Sequence, residues 1–205
     1  MSNTRGEPVA PEAERQAEAA LVQRVARGEP NAARQIVGQH LGSITRFAYR
    51  LLRDAAEAED VAQETFLRLW RQAATWEPRA KLSTWLHRVA YNLCVDRLRA
   101  ERTVPLSSAP DKADSRAGAS LELEQHERAA AVTCALAELP ERQAAALTLV
   151  YHEGLSNRDA AEVLGVNVDA LESLLTRGRQ SLRKRLSEPW LQGGNREPRA
   201  KRALL

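Results

Sequence analysis

Aromatic side chains are scarce in this sequence: four Trp, three Tyr and two Phe make up 4% of its 205 residues. With Ala, Leu, Arg and Glu abundant, that scarcity argues against the aromatic and β-branched runs that strands prefer, and favours helices. Cysteine is nearly missing as well. Cys94 and Cys134 stand far apart with no Cys or His at metal-ligand spacing, so neither a disulfide scaffold nor a zinc site is expected, and both read as small buried hydrophobes. No apolar run approaches the ~20 residues that span a bilayer, and the N-terminus lacks the apolar core of a signal peptide. A cytoplasmic location is the expectation. His40, His87, His126 and His152 are scattered, and neither a glycine-rich phosphate loop nor a nucleophile motif occurs. These absences point away from an enzyme, and no metal, cofactor or small-molecule substrate is expected.

What the chain has in quantity is charge of both signs, 28% of residues for a formal net charge of only +3. The signs are segregated. Acid gathers from Glu57 to Glu64, whereas Arg177, Arg179, Arg183, Lys184 and Arg185 crowd one later helix and Arg196, Arg199, Lys201 and Arg202 follow in the tail. Such separation predicts two kinds of partner surface.

Helical periodicity organises the chain into an all-α architecture of two small helical domains joined by a flexible linker. After residues 1–10, expected to be disordered, a first domain over 11–102 carries three apolar stripes. They are Leu41, Ile44, Ala48, Leu51 and Leu52; then Ala58, Val61, Ala62, Thr65, Phe66 and Leu69; then Leu86, Val89, Ala90, Leu93 and Cys94. Each needs a partner to bury it, and together they make a bundle. Residues 103–120 lose the repeat and turn rich in Ser, Ala, Pro, Asp and Gly, as a linker does. A second domain is expected over 121–188, with Pro140 opening a helix that closes at Gly154. Within it, Ser156-Asn157-Arg158-Asp159 reads as a capping box, Gly165 as a helix stop and Asn167 as the cap of a helix running to about Leu186. Ala161, Gly165 and Leu171 have the spacing of a helix-turn-helix. The basic tail, 189–205, is expected to be flexible.

Three surfaces could carry function. Glu57, Asp60, Gln63, Glu64 and Leu67 project opposite the buried stripe of their helix, either as a solvated charged face or as a docking face for a basic helix with Leu67 as its apolar contact. Thr84, Arg88, Tyr91, Asn92, Val95 and Arg99 project together from the third stripe's helix, with Trp76 and Trp85 flanking the turn before it. Cations beside rings suit single-stranded nucleic acid, although the tryptophans could equally be core anchors. In the helix-turn-helix, Asp169, Ala170, Glu172, Ser173 and Arg177 would face base edges in the major groove, unless the motif is an incidental hairpin.

The run from Asp54 to Trp70, DAAEAEDVAQETFLRLW, and that from Trp85 to Arg97, WLHRVAYNLCVDR, closely resemble region two of extracytoplasmic-function (ECF) sigma factors. Leu139-Pro140-Glu141-Arg142-Gln143, then Gly154-Leu155-Ser156 and the helix-turn-helix, resemble their region four. The resemblance covers about Leu21 to Leu186. It implies an alternative sigma factor of group IV that binds core RNA polymerase through the β′ clamp helices and the β flap and directs initiation at particular promoters. By position, Glu57, Asp60, Gln63, Glu64 and Leu67 match the clamp-docking segment. Arg71, Trp76, Arg79, Lys81, Thr84, Trp85, Arg88, Asn92 and Arg99 fall on the part that captures a flipped base of the −10 element and holds the melted strand. Asn157, Arg158, Asp169, Ala170, Glu172, Ser173, Arg177 and Arg179 fall on the −35 reader, Arg177 and Arg179 as backbone contacts. Many members carry Lys or Arg where this sequence has Glu172 and Leu174; a carboxylate accepts from cytosine N4 instead of neutralising phosphate, so no promoter sequence carries over. The resemblance also implies an anti-sigma factor, often membrane-anchored, that occludes these faces. The rival reading is a conventional regulator with an N-terminal helical sensor; a purely structural adaptor leaves the reading helix unexplained.

Overall fold

A computed structural model describes residues 10–103, 132, 135–136 and 138–193. Apart from Thr103, the expected linker lies outside the described residues, as do the first nine residues, Cys134, His126 and most of the basic tail. Among the described residues the fold is all α-helical, with no strand.

Four helices build the first unit: α1 (Ala10–Ala26), α2 (Pro30–Leu52), α3 (Ala55–Gln72) and α4 (Leu82–Thr103), with a 3-10 turn at Ala73–Thr75. Local chemistry starts and stops them. Pro30 opens α2 in its first turn, where a missing N–H costs nothing. Asp54 caps α3, its carboxylate accepting from the Glu57 amide at 3.1 Å. Packed face to face, α2, α3 and α4 enclose Ile36, Ile44, Phe47, Val61, Phe66, Leu69 and Leu86, each at most 2% exposed. The second and third apolar stripes therefore pack much as their periodicity predicts. One residue of the first does not: Leu41 is 42% exposed, because at its level α2 and α3 leave an open groove.

The second unit comprises α5 (Glu141–Leu147) with a π-turn at Thr148–His152, α6 (Asn157–Leu164) and α7 (Val168–Gly193). Pro140 stands at the N-cap of α5. Ser156 caps α6, its hydroxyl oxygen accepting from the Asp159 amide at 3.1 Å, while its own proton goes to the Asp159 carboxylate at 2.7 Å. Gly165 ends α6 at φ +63°, a left-handed conformation with little cost only for glycine, and its amide and that of Val166 satisfy the last carbonyls of the helix. Asn167 then caps α7, accepting from the Ala170 amide at 2.8 Å. Leu171 is fully buried and Ala161 nearly so, the anchor and contact that a helix-turn-helix requires. A second glycine works by absence of bulk: a Cβ on Gly178 of α7 would lie 3.0 Å from Leu147 Cδ1 on α5.

The units pack against each other. Helix α4 lies along α6, and α2 meets α5 and the π-turn.

Candidate nucleic-acid and polymerase interface

On α3, Asp60 and Gln63 face solvent, while Glu57, Glu64 and Leu67 are half-buried. The leucine is thus less exposed than helical projection implied. The two half-buried acids are engaged: Glu57 accepts from Arg97 on α4, and Glu64 accepts from Arg68 at 3.0 Å and Arg71 at 3.2 Å. The Arg68 hydrogen bond, with Arg71 beside it, holds the Glu64 carboxyl below the usual range. Asp60 and Gln63 are therefore the residues of this face most open to a partner. Beside them runs a groove lined by Val37, Leu41, Thr45, Gln63, Phe66 and Trp70. Trp70 is 36% exposed and its ring lies 6.3 Å from that of Phe66. Spacing alone hides this apolar strip, because Leu41 falls on the core stripe of α2; its one signal in the sequence is an aromatic four residues after Phe66, on the edge of an acidic face.

Around the loop before α4, Arg71, Arg79 and Lys81 are exposed, as are Arg88, Asn92 and Arg99 on α4. Arg79 and Arg88 line a pocket together with Gln72, Trp76, Trp85 and, from α6, Glu162. Three residues depart from expectation. Trp76 is only 8% exposed and belongs to the core. Thr84 and Tyr91, expected to project outward, are 1% and 5% exposed. For Tyr91 the reason is the second unit, which lies against this side of α4: Tyr91 donates to Glu141 at 3.3 Å, and Lys81 lies 3.9 Å from Asp159. Trp76 Nε1 and Thr84 Oγ1 are buried without a hydrogen-bond partner.

On α7, Asp169, Glu172, Ser173, Arg177 and Arg179 are exposed and Ala170 is half-buried; on α6, Arg158 is exposed and Asn157 half-buried. The first turns of α7 thus present a polar strip opposite the anchor residues Leu171 and Leu175, the geometry with which a second helix enters a major groove. No cluster of His, Cys, Asp or Glu that could hold a metal occurs among the described residues. No helix among them is long and apolar enough to cross a membrane.

Residues 36–104 match the family model of sigma-70 region 2, and residues 129–182 that of sigma-70 region 4. The ECF RNA polymerase sigma factor SigW of Bacillus subtilis is 30% identical over 183 residues, 82% of this chain and 95% of SigW. The chain belongs to the ECF sigma factors. Another relative, SigE of Mycolicibacterium smegmatis, is 34% identical over 158 residues; the match takes in 75% of this chain but only 61% of SigE. Among solved structures, CnrH in complex with the cytosolic domain of CnrY superposes with a TM-score of 0.63 at 26% identity, over 84% of this chain and 98% of CnrH. In this ECF sigma factor most of α2, with all of α3 and α4, falls within the region 2 match, and α5, α6 and the first half of α7 within that of region 4.

Proposed function

We propose that this ECF sigma factor is a non-catalytic promoter-specificity subunit, acting in the cytoplasm. Its α3 face, led by Asp60 and Gln63 with Glu57, Glu64 and Leu67 around them, docks core polymerase at the β′ clamp helices, and the second unit engages the β flap. The loop from Arg71 to Lys81, with α4, takes the flipped base and melted strand of the −10 element. Arg71, Arg79, Lys81, Arg88 and Arg99 neutralise phosphate there, and Trp85 offers a stacking surface. The first turns of α7 read the −35 element, with Arg177 and Arg179 on the backbone. Domain limits of 11–102 and 121–188, with a linker between, let two weak contacts act as one selective complex while the polymerase bridges them. An anti-sigma factor occludes these faces until a signal arrives.

The observation that carries this reading is that two family blocks, in family order, each present an outward polar strip: Asp60 and Gln63 on α3, and Asp169, Glu172, Ser173 and Arg177 on α7. Transcription in vitro from a fragmented genomic library, with purified core polymerase and with or without this protein, tests it. Discrete new starts sharing two spaced upstream elements are expected. No new starts, with specific duplex binding by the protein alone, would favour a conventional regulator.

A further inference from the structure

Beside the apolar core that runs through both units, their contact carries a cluster of charge and hydrogen bonds. At its centre is Glu153, directly after the π-turn, whose side chain is only 2% exposed. The widened turn holds it there: the Glu153 amide donates to Thr148 O, five residues back, at 3.0 Å. Among the described residues, the carboxylate's hydrogen-bond and ion-pair partners belong to α2. Ser43 donates to Oε2 at 2.6 Å, Arg50 to Oε1 at 3.5 Å, and Arg46 Nη2 lies 3.9 Å away. His87 of α4, whose ring packs edge-on against Phe47, reaches Ser43 Oγ through Nε2 at 3.2 Å. A buried carboxylate is tolerated only with such partners, so the two units are joined by a specific latch.

What the latch holds shut is the strand-binding face. With Glu153 seated, α6 lies on α4 and brings acid to the cations of the loop and helix: Asp159 to Lys81 at 3.9 Å, and Glu162 into the pocket of Arg79, Arg88 and Trp85. Glu141 takes the Tyr91 hydroxyl. Carboxylates thus stand among groups suited to phosphates. Beside this face, Thr84 Oγ1 and Trp76 Nε1 are buried without a hydrogen-bond partner.

We propose that the second unit is an intramolecular competitor of the melted promoter strand: α6 docks on α4, Glu153 latches the closed form through Ser43 and Arg50, and strand binding requires release. The inference rests on the assignment of α4 and its preceding loop as the strand-binding face. Competition of this kind lowers the apparent affinity of the free protein by the fraction of molecules that are open.

The test uses the full-length protein, Glu153→Ala, and Ser43→Ala, which breaks the same contact from α2 and leaves a good helix former in place. Radius of gyration by small-angle scattering reports opening, and fluorescence anisotropy with a labelled single-stranded DNA 15-mer of degenerate sequence reports the strand. Both variants should expand and bind the strand about tenfold more tightly, the size expected for losing a hydrogen bond to a charged group that favours the competing form. Adding Arg88→Ala to either should remove the gain. Unchanged radii in both variants would overturn the latch. Expansion with no gain in affinity, while Arg88→Ala weakens binding by wild type and variants alike, would overturn the masking but keep the strand face. Binding indifferent to Arg88→Ala in every background would overturn the strand face itself, and the inference with it.

Discussion

Helices α3 and α4 invite comparison, because in sequence they have the same form: an apolar stripe on one side and a polar, partner-ready face on the other. In the folded chain their polar faces differ. Asp60 and Gln63 on α3 stand in solvent, whereas on α4 Arg88, Asn92 and Arg99 are exposed but Thr84 and Tyr91 are 1% and 5% exposed, Tyr91 against the second unit. Helical projection tells which residues share a face. It does not tell what else in the chain covers that face, and a covered face binds only after something else has moved.

The largest effect should come from the open face. Asp60→Arg with Gln63→Arg places two cations where a basic helix is expected to dock, and like charges across an interface cost several kcal/mol. Affinity for core polymerase should fall by about a thousandfold, ~4 kcal/mol, with the thermal midpoint unchanged. Retained binding would move the docking face elsewhere.

The next contrast lies within one stripe of α2. Ile44 is fully buried and Leu41 is 42% exposed. Ile44→Ala should cost about 2–5 kcal/mol in urea unfolding, and Leu41→Ala about 0.5 kcal/mol or less, the range of ordinary surface changes. Equal losses would mean that the α2–α3 groove is closed in solution.

Glycines sharpen the comparison between the two units. Gly178 sits where α7 approaches α5, and its Cβ would meet Leu147 at 3.0 Å; a Cβ at Gly38, inside α2, would meet nothing within 4 Å. Gly178→Ala should destabilise by about 1–3 kcal/mol through overpacking, whereas Gly38→Ala should stabilise by about 0.5–1 kcal/mol through helix propensity. Denaturant midpoints of the two variants should therefore move in opposite directions.

Acid should act more gently. Burial holds His87 and His40 below the ordinary histidine value of 6.5. Between that depressed value and 6.5 the unfolded chain binds protons that the folded chain refuses, so this stability is complete above 6.5 and declines as pH falls below it. Midpoints measured from pH 7.5 to 5.5 should decline, and His87→Gln should flatten the decline. The smallest signal is chemical: burial pushes the Cys94 thiol up to about 12. In a Cys134→Ser background it should resist alkylation at pH 8 until the protein unfolds.

Legibility in the sequence followed the range of the interactions. Ser156, Gly165 and Asn167 could be read as caps or stops because each acts on backbone groups within about one helical turn. Phe66 and Leu69 were readable as core from their spacing alone. Leu41 was misplaced because its spacing fits the stripe, and only the divergence of α2 from α3 exposes it. Glu153 carried no signal, since an acid beside a glycine at the end of a helical run reads as solvent-facing.

The sequence by itself determined the helices, their order, the helix-turn-helix and the residues that share each polar face, because those depend on periodicity and on partners a few positions away. Tertiary structure alone decided which face is open and which is covered. Glu153 meets Arg50 and Ser43 across 103 and 110 positions of chain, and contacts at that range follow from how whole helices pack, not from the pattern within any one of them.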